Sequence, residues 1–127
     1  MTTNYASQSK LLYGEYGYKL NRVLFSVHNE LGRYAKEKQY SETVAKGLSE
    51  TGISYERECV IGDSGNIADF IIEGVIILEL KAKPFLLQTD YQQVQRYLHI
   101  CNMKLGILVN FRSAYLQPKR ILRRDYL

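Results

Sequence analysis

The apolar positions of the chain follow two different periods. From about Glu15 onward, Leu20, Val23, Leu24, Val27 and Leu31 recur at steps of three and four, which predicts an amphipathic helix punctuated at Gly32. Tyr40, Val44 and Leu48 lie one turn apart and predict a second helix over about Glu37 to Glu50, stopped by Thr51-Gly52. Strand character follows. Ile53 to Ile61 reads as a strand, Gly62 to Asn66 as a turn, and Ile67 to Lys83 as a hairpin that folds back at Glu73-Gly74 and closes at Pro84. Helical spacing returns in Val94, Tyr97, Leu98 and Cys101, with Thr89 or Asp90 as the expected N-cap. Lys104 to Phe111 predicts a further buried strand, and the tail after Pro118 a short edge strand.

Three strands in succession suggest a meander, and a helix between the third and fourth makes those two parallel. The expected fold class is therefore α/β, a central mixed β-sheet of four to five strands flanked by helices. A length of 127 residues fits one domain, taken as 15–127. The preceding segment, 1–14, is a polar leader with no clear period, expected to be flexible or loosely docked.

Composition narrows the picture only a little. A net charge of +4 and a pI near 9.0 suit a polyanionic partner without identifying one. Lys119, Arg120, Arg123 and Arg124 crowd the tail, where they are either a phosphate-contacting edge or a solubilising end. Cys59 and Cys101 have neither disulfide nor metal-ligand spacing, so they read as core residues in a reducing, cytoplasmic setting. The start of the chain lacks the pattern of a signal peptide, and the longest apolar run is too short to cross a bilayer, so no membrane partner is expected. The eleven tyrosines are scattered, and the sequence order gives no base-stacking surface.

The chemistry concentrates in the hairpin. Period-two alternation sets Glu79 and Lys81 on one face of the second strand, with Leu78 and Leu80 on the other, while the fold-back brings Asp69 alongside. That strand is nearly continuous in Val, Ile and Leu, so its charged residues are unfavourable unless paired, metal-bound or at an open end. Two carboxylates and an amine on one patch can hold a hard divalent cation and steer a water. A surface ion pair is the plainer reading, and residue chemistry alone leaves both open.

Asp69, followed ten residues later by Glu79-Leu80-Lys81, resembles the signature of the PD-(D/E)XK nuclease superfamily. Gln93 to Tyr97 is similar to the Q-x-x-x-Y motif in the nuclease domains of bacterial recombination helicase-nucleases. Val27 to Gly32, Glu37 with Tyr40, Ala68-Asp69, Glu79 to Ala82, Gln93 to Leu98 and Asn110-Phe111 together resemble the small GxxExxY proteins, over about residues 19 to 124. One position departs: Tyr34 stands where that family has its glycine.

The resemblance implies a restriction-endonuclease-like core and a divalent-metal-dependent nuclease acting on DNA, in repair, recombination or mobile-element defence. It implies Mg2+ or Mn2+ held by Asp69, Glu79 and the carbonyl of Leu80. Lys81 would orient the attacking water, Glu37 would complete the acidic cluster, and Gln93 would reach the site from the third helix. Tyr40 and Tyr97 would be packing residues, and His28 a satisfied imidazole or a neighbour of the site. Lys83 joins the basic tail among the expected nucleic-acid contacts. A homodimer would suit a nuclease of this size. The alternative is an inactive nuclease-fold module that binds nucleic acid or a protein partner.

Overall fold

The computed structural model describes residues 12–63 and 65–126. Most of the expected leader, residues 1–11, lies outside the described residues. The first two elements are helices, α1 (Gly14–Leu31) and α2 (Glu37–Thr51). Strands β1 (Tyr55–Ile61), β2 (Asn66–Ile72) and β3 (Ile76–Lys81) come next. Helix α3 (Gln88–Cys101), strands β4 (Leu105–Asn110) and β5 (Lys119–Leu122), and a short 3-10 turn at Arg124–Tyr126 complete the order.

The five strands form one sheet in sequence order. All neighbours are antiparallel except β3 and β4, which run parallel across the α3 crossover. This is the α/β mixed sheet expected from the pattern. Two layers cover it. Leu20, Leu24, Tyr40, Val44 and Leu48 from α1 and α2 pack with Phe70, Ile76, Leu78 and Leu80 on one face. Val94, Tyr97 and Leu98 of α3 pack with Ile77, Leu108 and Ile121 on the other. Gly106 in β4 lets α3 come close, because a Cβ there would collide with Val94.

Three boundaries differ from the sequence reading; the simplest is the end of β3, at Lys81 rather than Lys83. Strand β1 begins at Tyr55, not Ile53, because α2 ends in a Schellman turn: Gly52 is left-handed and the Ile53 N–H returns to the Leu48 carbonyl at 2.9 Å. Helix α3 begins at Gln88, so neither Thr89 nor Asp90 is the N-cap. Asp90 instead lies inside the first turn and accepts the Leu87 N–H at 2.7 Å. Cys59 and Cys101 are free thiols and only half-buried, not the core residues expected; Cys101 packs against the core under α3.

Candidate active site

The β2–β3 ladder runs from Ile72↔Ile76 to Phe70↔Leu78 and stops where the next pair would be Asp69 and Glu79. Side chains take over there. The Asp69 N–H donates to Glu79 Oε1 at 2.8 Å, and the Leu80 N–H donates to Asp69 Oδ2 at 2.7 Å. Each carboxylate thus replaces a missing backbone acceptor of the opposite strand. Both are fixed by the sheet itself.

The other neighbour of β2 is disturbed at the same level. Arg57↔Phe70 and Cys59↔Ala68 are paired, while Glu58, between them, has a left-handed φ of 52° and skips its partner Asp69. Phe70 packs in the α1–α2 layer, but Ala68, two residues earlier, packs under α3. Simple alternation would keep both on one face. The β1–β2 ribbon turns over at Glu58 and Asp69, which aims Asp69 along the sheet toward β3.

Lys81 follows Glu79 on the α3 face, as alternation required. Its ammonium donates to Gln93 Oε1 at 3.1 Å and lies 3.9 Å from Asp90 Oδ1. Gln93 in turn donates from Nε2 to the Tyr97 hydroxyl at 3.0 Å. Tyr97 is buried, so the chain Tyr97–Gln93–Lys81 anchors the ammonium to the core of α3. Lys83 binds both Asp90 oxygens, at 2.8 and 3.1 Å, and makes the strongest ion pair near the site. The sequence suggests for Asp90 only a helix cap, but its carboxylate also takes the Lys83 ammonium. The signal that it does more was its spacing seven residues after Lys83.

Glu37 opens α2 at the exposed rim. Its carboxyl is raised by desolvation and then by the charge of Asp69, while Lys81 and Lys83 pull it down. Its field therefore reaches the hairpin carboxylates. The turn that leads into α2 is held by Tyr40, whose hydroxyl donates to the Gly32 carbonyl and accepts the Ala35 N–H at 3.2 Å. The Tyr40 ring stacks on Phe111 with centroids 4.3 Å apart. Tyr34 is not among the positive-φ residues, so this path accepts a side chain without strain. His28 donates from Nε2 to the Ser113 carbonyl at 2.9 Å and secures the loop after β4.

The basic tail is divided. Lys119 pairs with Leu108 in the β5 ladder, whereas Arg123 and Arg124 lie beyond Leu122, at the opposite end of β4 from Asn110. Arg120 is half-buried and donates to the Leu12 carbonyl at 2.6 Å. Arg123 is occupied by Asp125 at 2.6 Å and Asn102 at 2.8 Å. The fold therefore does not bring Arg123 and Arg124 to the carboxylates.

Glu79 is almost wholly buried, and its carboxyl is pushed up to about 8, first by burial and then by Asp69. Asp69 is also raised by burial, with Glu58 adding to the rise and the Leu80 N–H and Lys81 opposing it. Among the described residues neither carboxylate has an ion-pair partner within salt-bridge distance. Two crowded, desolvated carboxylates are a donor set suited to a hard cation, which would relieve both burial and repulsion. No group of three or more His, Cys, Asp or Glu side chains converges among the described residues. The set therefore fits an ion such as Mg2+, which uses one or two carboxylates and fills its other positions with water and phosphate. The Leu80 N–H points to the β2 side, and the carbonyl of a strand residue points the same way as its N–H, so it too belongs to this edge.

A family model described as the PD-(D/E)XK nuclease superfamily matches residues 14–124. The chain belongs to this superfamily. The match spans all five strands and the three α-helices, and the five-stranded mixed sheet with helices on both faces is consistent with a restriction-endonuclease-like fold. Superfamily membership points to nuclease activity and to nucleic acid as the partner. No curated protein and no solved structure gives a significant match. No helix among the described residues is long and apolar enough to cross a membrane.

Proposed function

We propose that this PD-(D/E)XK protein is a divalent-metal-dependent nuclease of the GxxExxY type that hydrolyses phosphodiester bonds in DNA. The observation that carries the reading is the interlocking of Asp69 and Glu79 in the gap of the β2–β3 ladder, with Lys81 on the same edge. Burying two like charges costs stability, and a module that only bound nucleic acid would gain nothing from it.

Asp69, Glu79 and the Leu80 carbonyl would hold Mg2+ or Mn2+, which when bound supplies a Lewis acid for the phosphate and lowers the pKa of a water. Glu37 adds negative charge at the rim and can orient a water of that shell. Lys81 brings a cation to the place where charge grows on the phosphate, and stabilising that charge is the largest service a fixed group can render. Gln93 holds the Lys81 ammonium in position with its amide oxygen, and Tyr97 fixes the amide in turn. Lys83, neutralised by Asp90, braces the start of α3 and is a weaker candidate for phosphate contact than its charge alone suggests.

The test is cleavage of single-stranded, duplex and branched DNA with Mg2+ or Mn2+, by wild type and by Asp69→Asn, Glu79→Gln and Lys81→Ala. The Asn and Gln variants keep an acceptor for the Asp69 and Leu80 N–H groups, so folding is retained. Each variant should lose cleavage. Undiminished cleavage by all three would refute the site, and no cleavage by wild type on any substrate would favour the binding module.

A further inference from the structure

Three loops meet at the carboxyl end of β3 and β4: Gly32–Lys36, Ala82–Leu87 and Phe111–Pro118. They are stitched together by hydrogen bonds between side chains and backbone groups. Arg33 Nε donates to the Arg112 carbonyl at 2.9 Å, and Arg112 Nε returns to the Arg33 carbonyl at 3.1 Å. Arg112 Nη2 reaches the Ala82 carbonyl at 3.3 Å. Asn110, buried at the end of β4, accepts the Lys83 N–H at 3.1 Å and donates to the Lys83 carbonyl at 2.8 Å. The loops therefore form one braced surface at the end of the sheet where Lys81 emerges.

Each loop exposes an aromatic ring. Tyr115 is 86% exposed, Phe85 76% and Tyr34 74%, the three most exposed large apolar side chains among the described residues. The three loops carry Arg33, Lys36 and Arg112 and no carboxylate of their own, while their fourth cation, Lys83, is paired with Asp90 of α3. The guanidiniums of Arg33 and Arg112 stand over the Tyr34 ring, 5.1 and 5.5 Å from its centre. Three rings this exposed on a braced, cationic surface are not spent on the core, and such a surface marks a binding face.

We infer that Tyr34, Phe85 and Tyr115, with Arg33 and Arg112, form a stacking platform for an unpaired DNA strand entering the site. This rests on the nuclease reading and names the substrate form it would take. The chemistry selects the strand. Phosphates satisfy the arginines in any nucleic acid, but only unpaired bases offer open faces to aromatic rings, since a duplex hides them in its own stack. The platform is continuous with the candidate site through Ala82 and Lys83, the two residues directly after Lys81.

The test measures binding in EDTA, which prevents cleavage, by fluorescence anisotropy. The probes are labelled oligothymidylate of about 12 nucleotides, a duplex of the same length, and oligouridylate. Wild type should bind oligothymidylate more tightly than duplex. Tyr34→Ala, Phe85→Ala and Tyr115→Ala should each weaken it by about fivefold or more, the lower end of the stacking range, and leave duplex affinity within about twofold. Because all three rings are exposed, the variants should keep the wild-type melting temperature, and Tyr34→Phe should restore binding. Full affinity for oligothymidylate in the triple alanine variant, or a wild-type preference for duplex or for oligouridylate, would overturn the inference. The two readings separate cleanly. Ring-dependent strand binding without cleavage of any substrate removes the nuclease reading alone, and Asp69-dependent cleavage untouched by the ring substitutions removes the platform alone.

Discussion

Glu79→Gln gives the sharpest physical test of the paired carboxylates, because it removes a charge while keeping size and the acceptor for the Asp69 N–H. In the unfolded chain the Glu79 carboxyl titrates near its ordinary 4.5, and in the folded protein it is raised to about 8. Between these values the folded state binds more protons than the unfolded state, so stability is greatest below about pH 4.5 and falls as pH rises to about 8. The full displacement corresponds to roughly 5 kcal/mol, and because Asp69 and Glu79 titrate as a pair, roughly 2–5 kcal/mol is the expected range. Asp69, also raised, contributes with the same sign. Asp90 is lowered, by the Leu87 N–H and Lys83 against the effect of its burial, so it acts in the opposite direction, but it is common to wild type and variant and cancels.

The assay is thermal unfolding in EDTA from about pH 5 to pH 9. The two proteins should melt together at the acid end, and the Gln variant should melt roughly 10 °C higher at the alkaline end. Mn2+ should raise the wild-type midpoint chiefly above neutrality and the variant's much less. Parallel melting curves across the whole range would show that Glu79 is not held in a repelled, desolvated pair that a cation would relieve.

Two further outcomes follow from the surroundings of the site. Gln93→Leu removes the amide that holds the Lys81 ammonium, and cleavage should fall about 10–100-fold while the fold persists, measured as single-turnover rate against circular dichroism. Tyr40→Phe keeps the stack on Phe111 but orphans the Gly32 carbonyl and the Ala35 N–H, and should cost about 1–3 kcal/mol in urea unfolding.

Much of this was legible in the residue order, and the reasons are local. Alternation in Ile76–Lys81 put Glu79 and Lys81 on one face, and the sequence Glu73-Gly74 supplied the two left-handed residues that the hairpin uses. The crossover through α3 followed from a helix between two apolar strands. What was not legible depends on contacts between distant segments. The overturning of the β1–β2 ribbon at Glu58 has no signal in residue types, since glutamate is a poor candidate for positive φ. Arg120 turns inward to Leu12, more than a hundred positions away, so counting tail charges could not separate it from an outward lysine. The aromatic residues look scattered because Tyr34, Phe85 and Tyr115 sit on three loops far apart in sequence, joined only in the fold by the Arg33 and Arg112 contacts. The departure at Tyr34 likewise gains a meaning only once its two arginine neighbours are known.

The exchange of Asp69 and Glu79 between strands makes the proposed metal-holding groups part of the scaffold. An apolar residue at position 69 would leave the Leu80 amide without a partner inside the sheet, and one at 79 would do the same to the amide of residue 69. Descendants that gave up chemistry would therefore be steered toward the isosteric amides, asparagine and glutamine, at these two positions. Loss of activity in this architecture should leave a visible imprint of the lost carboxylates, a shape kept after its charge has gone.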